Sequence, residues 1–441
     1  MAVGLIVLIC AVYLLSRDRF TVEDGVLVGY RGWGGHVVIP DGVTSIGPSV
    51  FFGRTSLTSI TIPDGVTSIE RSAFSGCTCL TSIMIPKSVT NIEAYAFDNC
   101  ISLASVTIPE GVTYIGNSAF IRCSALTGIT IPDGITSICN STFWGCESLA
   151  SVIIPESAKI IEGLAFANCS ALTSVTIPDG VISIEYFAFL NCSSLASITI
   201  PSSVRRIESR AFVFCDVVTI EVDEANANYI SIDDVLFTKD LKELIKYPAG
   251  KTVPVYSIPE GVTHIGDSAF IGCSFLTSIT IPQSVRNIGI RVFSGCTSLV
   301  SITIPEGVLR LVDGTFSGCT SLVNITIPES MTSIGESTFL DCSSLASITI
   351  PPNVNSIEYE TFSGCTSLTS VTIMEGVKNI NSSAFTNCTS LTSIFIPQSV
   401  TNIEIDAFFG CSNLIIYSAN GSYAESYAKE NKILFNSFAQ Q

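Results

Sequence analysis

The stretch LTSITIPDGVTSIERSAFSGC, residues 57–77, decides the fold, because its pattern returns along the 441-residue chain at a fixed step of 23 residues. A proline after the first apolar run marks each step, and one methionine replaces it, at Pro40, Pro63, Pro86, Pro109, Pro132, Pro155, Pro178, Pro201, Pro259, Pro282, Pro305, Pro328, Pro351, Met374 and Pro397. A fixed period of this size indicates a solenoid, because a single unit is too small to bury its own apolar side chains. The sequence therefore predicts a β-rich array of stacked coils.

Each repeat is predicted to have three sides. The run LTSITI is a strand whose leucine and two isoleucines face the core, while Ser59 and Thr61 face solvent by strand alternation. The PDG that follows is a turn, because proline fixes φ and glycine accepts a positive φ. VTSI is a second extended side, and the return carries Phe74 and Cys77 inward. This phenylalanine recurs in 15 repeats, so we expect about 15 coils.

Composition and charge narrow the classes of function. Only 13% of the residues are charged and the net charge is −17, which argues against binding of nucleic acid. Fourteen of the 17 cysteines occupy one repeat position, where we expect buried thiols that behave as small apolar side chains. No CxxC pair or histidine cluster accompanies them, so the sequence predicts no metal site and no cofactor.

Residues 2–15, AVGLIVLICAVYLL, form a continuous apolar run. Fourteen residues are few for a membrane span but typical of the apolar region of a signal peptide. Arg17 and Arg19 follow the run, whereas a signal peptide has basic residues before it. We interpret residues 1–16 as a signal peptide or membrane anchor, with a buried solenoid strand as the alternative. Export predicts a protein that is secreted or held at the cell surface.

The repeat unit LxxIxIPxxVxxIxxxAFxxC resembles the BspA-like subclass of leucine-rich repeats, over about residues 20–441. The opening FTVEDGVLVGYRG (20–32), the interruption NYISIDDVLFTKDLKELIKYPAGK (228–251) and the ending GSYAESYAKEN (421–431) are also similar to that family, although Asp234 stands where it usually has glycine. The resemblance implies a right-handed leucine-rich-repeat solenoid, capped at both ends, without catalytic residues. It further implies a surface or secreted protein of a host-associated microbe that adheres to host proteins or other cells.

The expected organisation follows from the segments in which the 23-residue spacing is kept and the segment in which it is interrupted. The 23-residue spacing of the prolines is interrupted once, between Pro201 and Pro259. After the N-terminal segment, we expect an N-terminal cap over 17–37, leucine-rich repeats over 38–215, irregular coils with a projecting hairpin over 216–258, leucine-rich repeats over 259–411 and a C-terminal cap over 412–441. The C-terminal cap is predicted to contain a short helix followed by a closing strand.

Outward positions of the strands form ladders of serine and threonine, which solenoids use as binding surfaces on one face. The candidate partner-binding residues are Thr107, Thr130, Ile153, Thr176, Thr199, Thr280, Thr303, Thr326 and Thr349, together with Trp144 beside a core phenylalanine. The alternative is that threonine serves only strand propensity and solubility. A regular hydroxyl array that binds ice is a further alternative.

The predicted function is non-enzymatic protein–protein recognition at the cell surface or in secreted form, and the specific role we expect is adhesion to host or neighbouring-cell proteins. An intracellular interaction scaffold and a structural or ice-binding surface protein are the alternatives. The chain has two histidines, far apart, and no nucleophile–base pair, so the sequence does not predict an enzyme. A membrane is expected as a partner only through the N-terminal apolar segment.

Overall fold

The structure, a computed structural model, describes residues 19–437, which divide into two compact units between Asn228 and Tyr229. The predictions for residues 1–16 lie outside the described residues, as do the last four residues of the predicted C-terminal cap. Each unit is a parallel β-solenoid in which one 23-residue repeat makes one turn. No helix among residues 19–437 has the length and apolar character that a membrane span requires.

The first unit begins with a hairpin and continues as alternating long and short strands. In chain order these are β1 (Phe20–Glu23), β2 (Val26–Tyr30), β3 (Gly35–Val38), β4 (Ser45–Ile46), β5 (Leu57–Thr61), β6 (Ser68–Ile69), β7 (Ser82–Met84), β8 (Asn91–Ile92), β9 (Ser105–Thr107), β10 (Tyr114–Ile115), β11 (Gly128–Thr130), β12 (Ser137–Ile138), β13 (Ser151–Ile153), β14 (Ile160–Ile161), β15 (Ser174–Thr176), β16 (Ser183–Ile184), β17 (Ser197–Ile200), β18 (Arg206–Ile207) and β19 (Thr219–Val222).

The second unit begins with three antiparallel strands and ends with a helix and a strand. Its elements are β20 (Tyr229–Ile232), β21 (Val235–Thr238), β22 (Glu243–Lys246), β23 (Val255–Ser257), β24 (His264–Ile265), β25 (Ser278–Thr280), β26 (Asn287–Ile288), β27 (Ser301–Thr303), β28 (Arg310–Leu311), β29 (Asn324–Thr326), β30 (Ser333–Ile334), β31 (Ser347–Ile350), β32 (Ser356–Ile357), β33 (Ser370–Ile373), β34 (Asn379–Ile380), β35 (Ser393–Phe395), β36 (Asn402–Ile403), β37 (Ile415–Ser418), α1 (Tyr423–Glu430) and β38 (Leu434–Ser437).

Successive turns are joined by in-register hydrogen bonding on all three sides. Long strands pair in parallel, as β13 does with β15, and short strands do the same, as β12 does with β14. The return side has no strands, yet it also bonds from turn to turn: the Phe74 N–H donates to the Ala96 carbonyl at 2.8 Å. Because every side repeats its bonding at the same register, a repeat position keeps its inward or outward direction along the stack of its own unit.

Phenylalanines and cysteines of the return side form the core. In the first unit the rings from Phe51 to Phe212 stack with centroids 5.1–5.7 Å apart and planes within 13° of parallel. Thirteen of the fourteen repeat-position thiols, all but Cys273, donate to the carbonyl of the phenylalanine one turn earlier, as Cys146 does to Phe120 at 3.2 Å. No cysteine among residues 19–437 forms a disulfide. The thiols are therefore satisfied as hydrogen-bond donors inside an apolar core.

The array has about 18 turns, more than the 15 expected from the sequence, with nine long strands in each unit. The three extra turns are those of β19, β37 and β38, which have a long strand but no core phenylalanine. Counting phenylalanines missed them because these turns, near the ends of the two units, continue the strand pairing without adding a ring to the aromatic stack.

The ends of the two units are closed by different elements. β1 and β2 form an antiparallel hairpin with a two-residue turn in which Asp24 and Gly25 both have positive φ, 47° and 82°. Tyr30 of this hairpin packs on the ring of Phe51 at 5.1 Å and so begins the aromatic stack. At the other end Ser422 caps α1, and β38 pairs in parallel with β37.

The break in the repeat forms β20, β21 and β22. Their apolar side chains belong to the core of the second unit: Val235, Phe237 and Leu244 are fully buried. Tyr247 takes the place of a core phenylalanine and stacks on Phe270 at 5.1 Å. β22 then pairs in parallel with the short strand β24. These strands thus start the second solenoid, which differs from the projecting hairpin that the sequence suggested.

Candidate functional site

The outward side of the long strands in the first unit is the strongest candidate surface, and we call it the strand face of that unit. Strand alternation buries Val152, Val175 and Ile198 and turns their neighbours to solvent. Parallel pairing then aligns four of the predicted residues in consecutive turns, namely Thr130, Ile153, Thr176 and Thr199. Thr107 is exposed on the long strand that precedes them. The outward side chains of adjacent turns are about 4.8 Å apart, the ordinary distance between paired strands.

The second unit has a strand face of its own. Thr280, Thr303, Thr326 and Thr349 are all exposed, on β25, β27, β29 and β31, and Thr303 pairs directly with Thr326. The nine predicted strand residues therefore fall into two groups, five in the first unit and four in the second. Within each group the side chains share one direction.

Apolar side chains interrupt the hydroxyl ladder of the first unit. Met84 is 80% exposed and Ile153 is 62% exposed, at positions where other turns carry threonine. Exposed apolar side chains are common singly, but these two lie on one face within three turns of each other. They also break the regular spacing of hydroxyls that ice binding would require. The face is thus distinctive between β7 and β13.

Gly128 leaves a hollow between these two apolar residues. Its φ is not in the left-handed region, and an added Cβ would lie an ordinary 3.7 Å from Ser151 Oγ, so the backbone does not require glycine there. Most other turns carry serine at this position. The missing side chain opens a depression, the Gly128 hollow, lined by Thr107, Thr130, Ser151 and Ile153. Sequence reasoning missed this glycine, although its departure from the serine ladder was visible.

Carboxylates border the strand face where the long strands end. A second depression reaches from Met84 and Thr107 to Asp64, Lys87 and Glu110 in the turns. The exposed acids of this edge take part in no ion pair among residues 19–437: Asp64, Glu110, Asp133, Glu156 and Asp179. The edge therefore carries uncompensated negative charge, apart from Lys87.

Trp144 lies elsewhere, on the return side directly after the core residue Phe143. It is half-buried, and the guanidinium of Arg122 lies 5.1 Å from its ring centroid. Together they line a polar depression with Asn168 and Asn191, whose side chains are hydrogen-bonded at 2.9 Å. The structure does not bring Trp144 together with the threonines, since they line separate depressions.

The described residues offer little chemistry for catalysis. Within residues 19–437, no group of three or more histidine, cysteine, aspartate or glutamate side chains is arranged to hold a metal ion. Burial raises the pKa of Cys77 and of Cys146 from 9.0 to about 12, which keeps these thiols protonated and unreactive. His36 Nδ1 lies 2.7 Å from Ser59 Oγ, and among residues 19–437 no carboxylate is hydrogen-bonded to this exposed pair to orient it.

A parallel β-solenoid of 23-residue turns with a leucine, isoleucines and a phenylalanine in its core is a leucine-rich-repeat protein. The family model for the BspA type leucine rich repeat region matches residues 35–149, 113–242, 251–360 and 332–431. The chain belongs to this family, which confirms the resemblance found in the sequence.

Solved structures of similar proteins agree with this assignment. A leucine rich cell surface protein from Faecalibacterium prausnitzii is 34% identical, over 80% of this chain and 92% of that chain, with a TM-score of 0.66. A leucine-rich repeat protein from Bacteroides ovatus is 29% identical, over 95% and 97%, with a TM-score of 0.53. The pneumococcal vaccine antigen PcpA, 20% identical over 96% of each chain with a TM-score of 0.50, shows the fold alone. A comparison with curated proteins finds no match.

Proposed function

We propose that this chain is a non-enzymatic recognition protein, secreted or held at the cell surface, that adheres to proteins of a host or of neighbouring cells. The observation that carries the proposal is the Met84–Gly128–Ile153 segment of the strand face, where the exposed Ile153 lines the Gly128 hollow and the exposed Met84 lies two turns before Gly128. Similarity to a cell surface protein of Faecalibacterium prausnitzii supports the location. The ladder of threonines is common to both units, so it supplies a general polar surface.

The segment has the chemistry of a protein-binding centre with a polar rim. Apolar side chains in the middle of an interface contribute most of the binding energy, while surrounding polar groups exclude water and set the register. Here Ile153 and Met84 are the apolar groups, and the hydroxyls of Thr107 and Thr130 lie between them. An apolar side chain of the partner fits the Gly128 hollow. The acidic edge favours a partner with basic residues beside that side chain.

The test is binding of the purified full chain to immobilised host extracellular-matrix and cell-surface proteins. Ile153→Asp should weaken the strongest interaction about 30-fold, as expected for a central apolar contact. Thr303→Asp is the matched control, because it adds the same charge at the equivalent exposed position of the second unit. Circular dichroism should show that both variants keep the fold.

Two results would contradict the proposal. One is that no matrix or cell-surface protein binds the chain above the background of an unrelated acidic protein. The other is equal weakening by Ile153→Asp and Thr303→Asp, which would mean that general charge, not this segment, governs binding. Protease digestion of intact producing cells tests the location, because an intracellular scaffold would be protected.

A further inference from the structure

Trp33 is the most exposed large apolar residue of the described chain, with 94% of its surface accessible. It lies in the loop RGWGG between β2 and β3, and the conformation of this loop requires glycine on both sides of the tryptophan. A Cβ on Gly32 would clash with the Tyr30 hydroxyl, and Gly34 has a φ of +110° with the Ser56 carbonyl oxygen 2.6 Å from an added Cβ. Ser56 also donates its hydroxyl to the Trp33 carbonyl. The loop thus fixes the tryptophan outward.

The loop is adjacent to the point where the chain comes from its apolar N-terminal run. The Arg31 N–H donates to the Arg19 carbonyl at 2.8 Å, two residues before Trp33. Arg19 follows the end of the apolar run at residue 15 by four residues. Four residues span at most about 14 Å even when fully extended. Any surface that takes up residues 2–15 must therefore lie close to Trp33.

Three arginines converge on the same place. Arg54 donates from Nη2 to the Tyr30 carbonyl at 2.6 Å, and its guanidinium lies 5.7 Å from the Tyr30 ring centroid. Arg19 and Arg31 are exposed. Among residues 19–437, none of these three has an ion-pair partner. This local positive charge stands out in a chain whose net charge is −17.

We propose that the first turn of the solenoid, through Trp33, Arg19, Arg31 and Arg54, rests on the lipid–water interface of an anionic membrane. Tryptophan prefers the headgroup level of a bilayer, and arginines beside it bind lipid phosphates. A membrane that took up residues 2–15 would also bring this turn to its surface, since Arg19 is four residues from that run. Acidic side chains elsewhere in the first unit are repelled by such a membrane, which selects this end. The site goes beyond the proposed recognition function and uses none of its residues.

The experiment uses the full chain with Trp144→Phe, so that Trp33 is the sole tryptophan. On equimolar phosphatidylcholine–phosphatidylglycerol vesicles, Trp33 emission should shift to shorter wavelength, lose access to iodide and be quenched by lipids brominated near the headgroup. The matched control is Trp33→Phe, in which Trp144 should show none of these changes. Arg19→Gln with Arg31→Gln should lower partition onto these vesicles about 25-fold. Arg310→Gln, an exposed arginine of the second unit, should not.

Three outcomes overturn the proposal. The first is vesicle binding in which iodide still quenches Trp33 fluorescence, which would mean that the first turn of the solenoid does not contact the membrane. The second is the absence of vesicle binding. The third is protection of Trp33 that needs no lipid and grows with protein concentration, which assigns the patch to a second copy of the chain. Loss of adhesion by Ile153→Asp is independent of all three.

Discussion

The buried cysteines at the repeat position, which we call the thiol ladder, predict that the first unit loses stability at alkaline pH. Burial raises the pKa of Cys77 and of Cys146 from 9.0 to about 12, and it raises the pKa of Cys100, Cys123 and Cys169 well above 9.0. Above pH 9 the unfolded chain releases these protons while the folded chain retains them. The folded state therefore binds more protons, and the free energy of unfolding falls as pH rises.

The size of the effect follows from the two thiols with a pKa of about 12. The contribution of each thiol to the free energy of unfolding is fully present below pH 9. Between pH 8 and pH 10 the free energy of unfolding falls by about 1.4 kcal/mol for each thiol. Cys77 and Cys146 together thus remove about 3 kcal/mol, and the other three thiols add to the loss with the same sign. Against a typical stability of about 5–15 kcal/mol, the change is large enough to measure easily.

The assay is urea unfolding at pH 8 and at pH 10 under reducing conditions, followed by circular dichroism. The variant Cys146→Ala should be less stable than the parent at pH 8, but its further loss on going to pH 10 should be smaller by about 1.4 kcal/mol. Cys79→Ser is the control, since Cys79 is exposed and outside the ladder. A stability that stays constant from pH 8 to pH 10 would refute the assignment of these thiols to a dry core.

Two further predictions test the packing. Phe189 is fully buried between Phe166 and Phe212, with ring centroids at 5.4 and 5.7 Å, so Phe189→Ala should cost about 3–5 kcal/mol in urea unfolding. Phe52→Ala, at a 62% exposed ring, should cost under about 1 kcal/mol, and equal losses would disprove the inward assignment. Among residues 19–437 only Cys79 should react with iodoacetamide in the native protein, as peptide mass spectrometry can show; labelling of ladder cysteines without denaturant would contradict their burial.

The sequence predicted the fold well because a solenoid repeats one local rule. Strand alternation alone fixed which residues of LTSITI are buried, and the core positions of Phe74 and Cys77 are fully buried as expected. The number of turns was underestimated because it was read from phenylalanine. The start of the second unit was also misjudged, because Tyr247 replaces phenylalanine in the stack and the repeat length changes there.

The candidate site was predictable in part. Alternation placed Thr107, Thr130 and Ile153 on the surface, and each is exposed. The Gly128 hollow was not foreseen, because glycine in a strand is usually a backbone requirement and only the structure shows that a Cβ would fit. Trp33 was not foreseen either, since it lies outside the repeat and no periodic pattern reports its exposure.

Because the repeat is regular, a partner can be bound at one defined position only where the repeat is interrupted. A partner that read only the threonine ladder would bind equally at any turn, because neighbouring turns offer the same hydroxyls at the same spacing. Such a contact can slide from turn to turn and fixes no register. Met84, Gly128 and Ile153 break the repeat within three turns of the first unit, so a partner that fills the hollow between the two apolar side chains is held at one register. Under the proposed recognition function, specificity therefore rests on these departures, and the ladder around them supplies the polar rim.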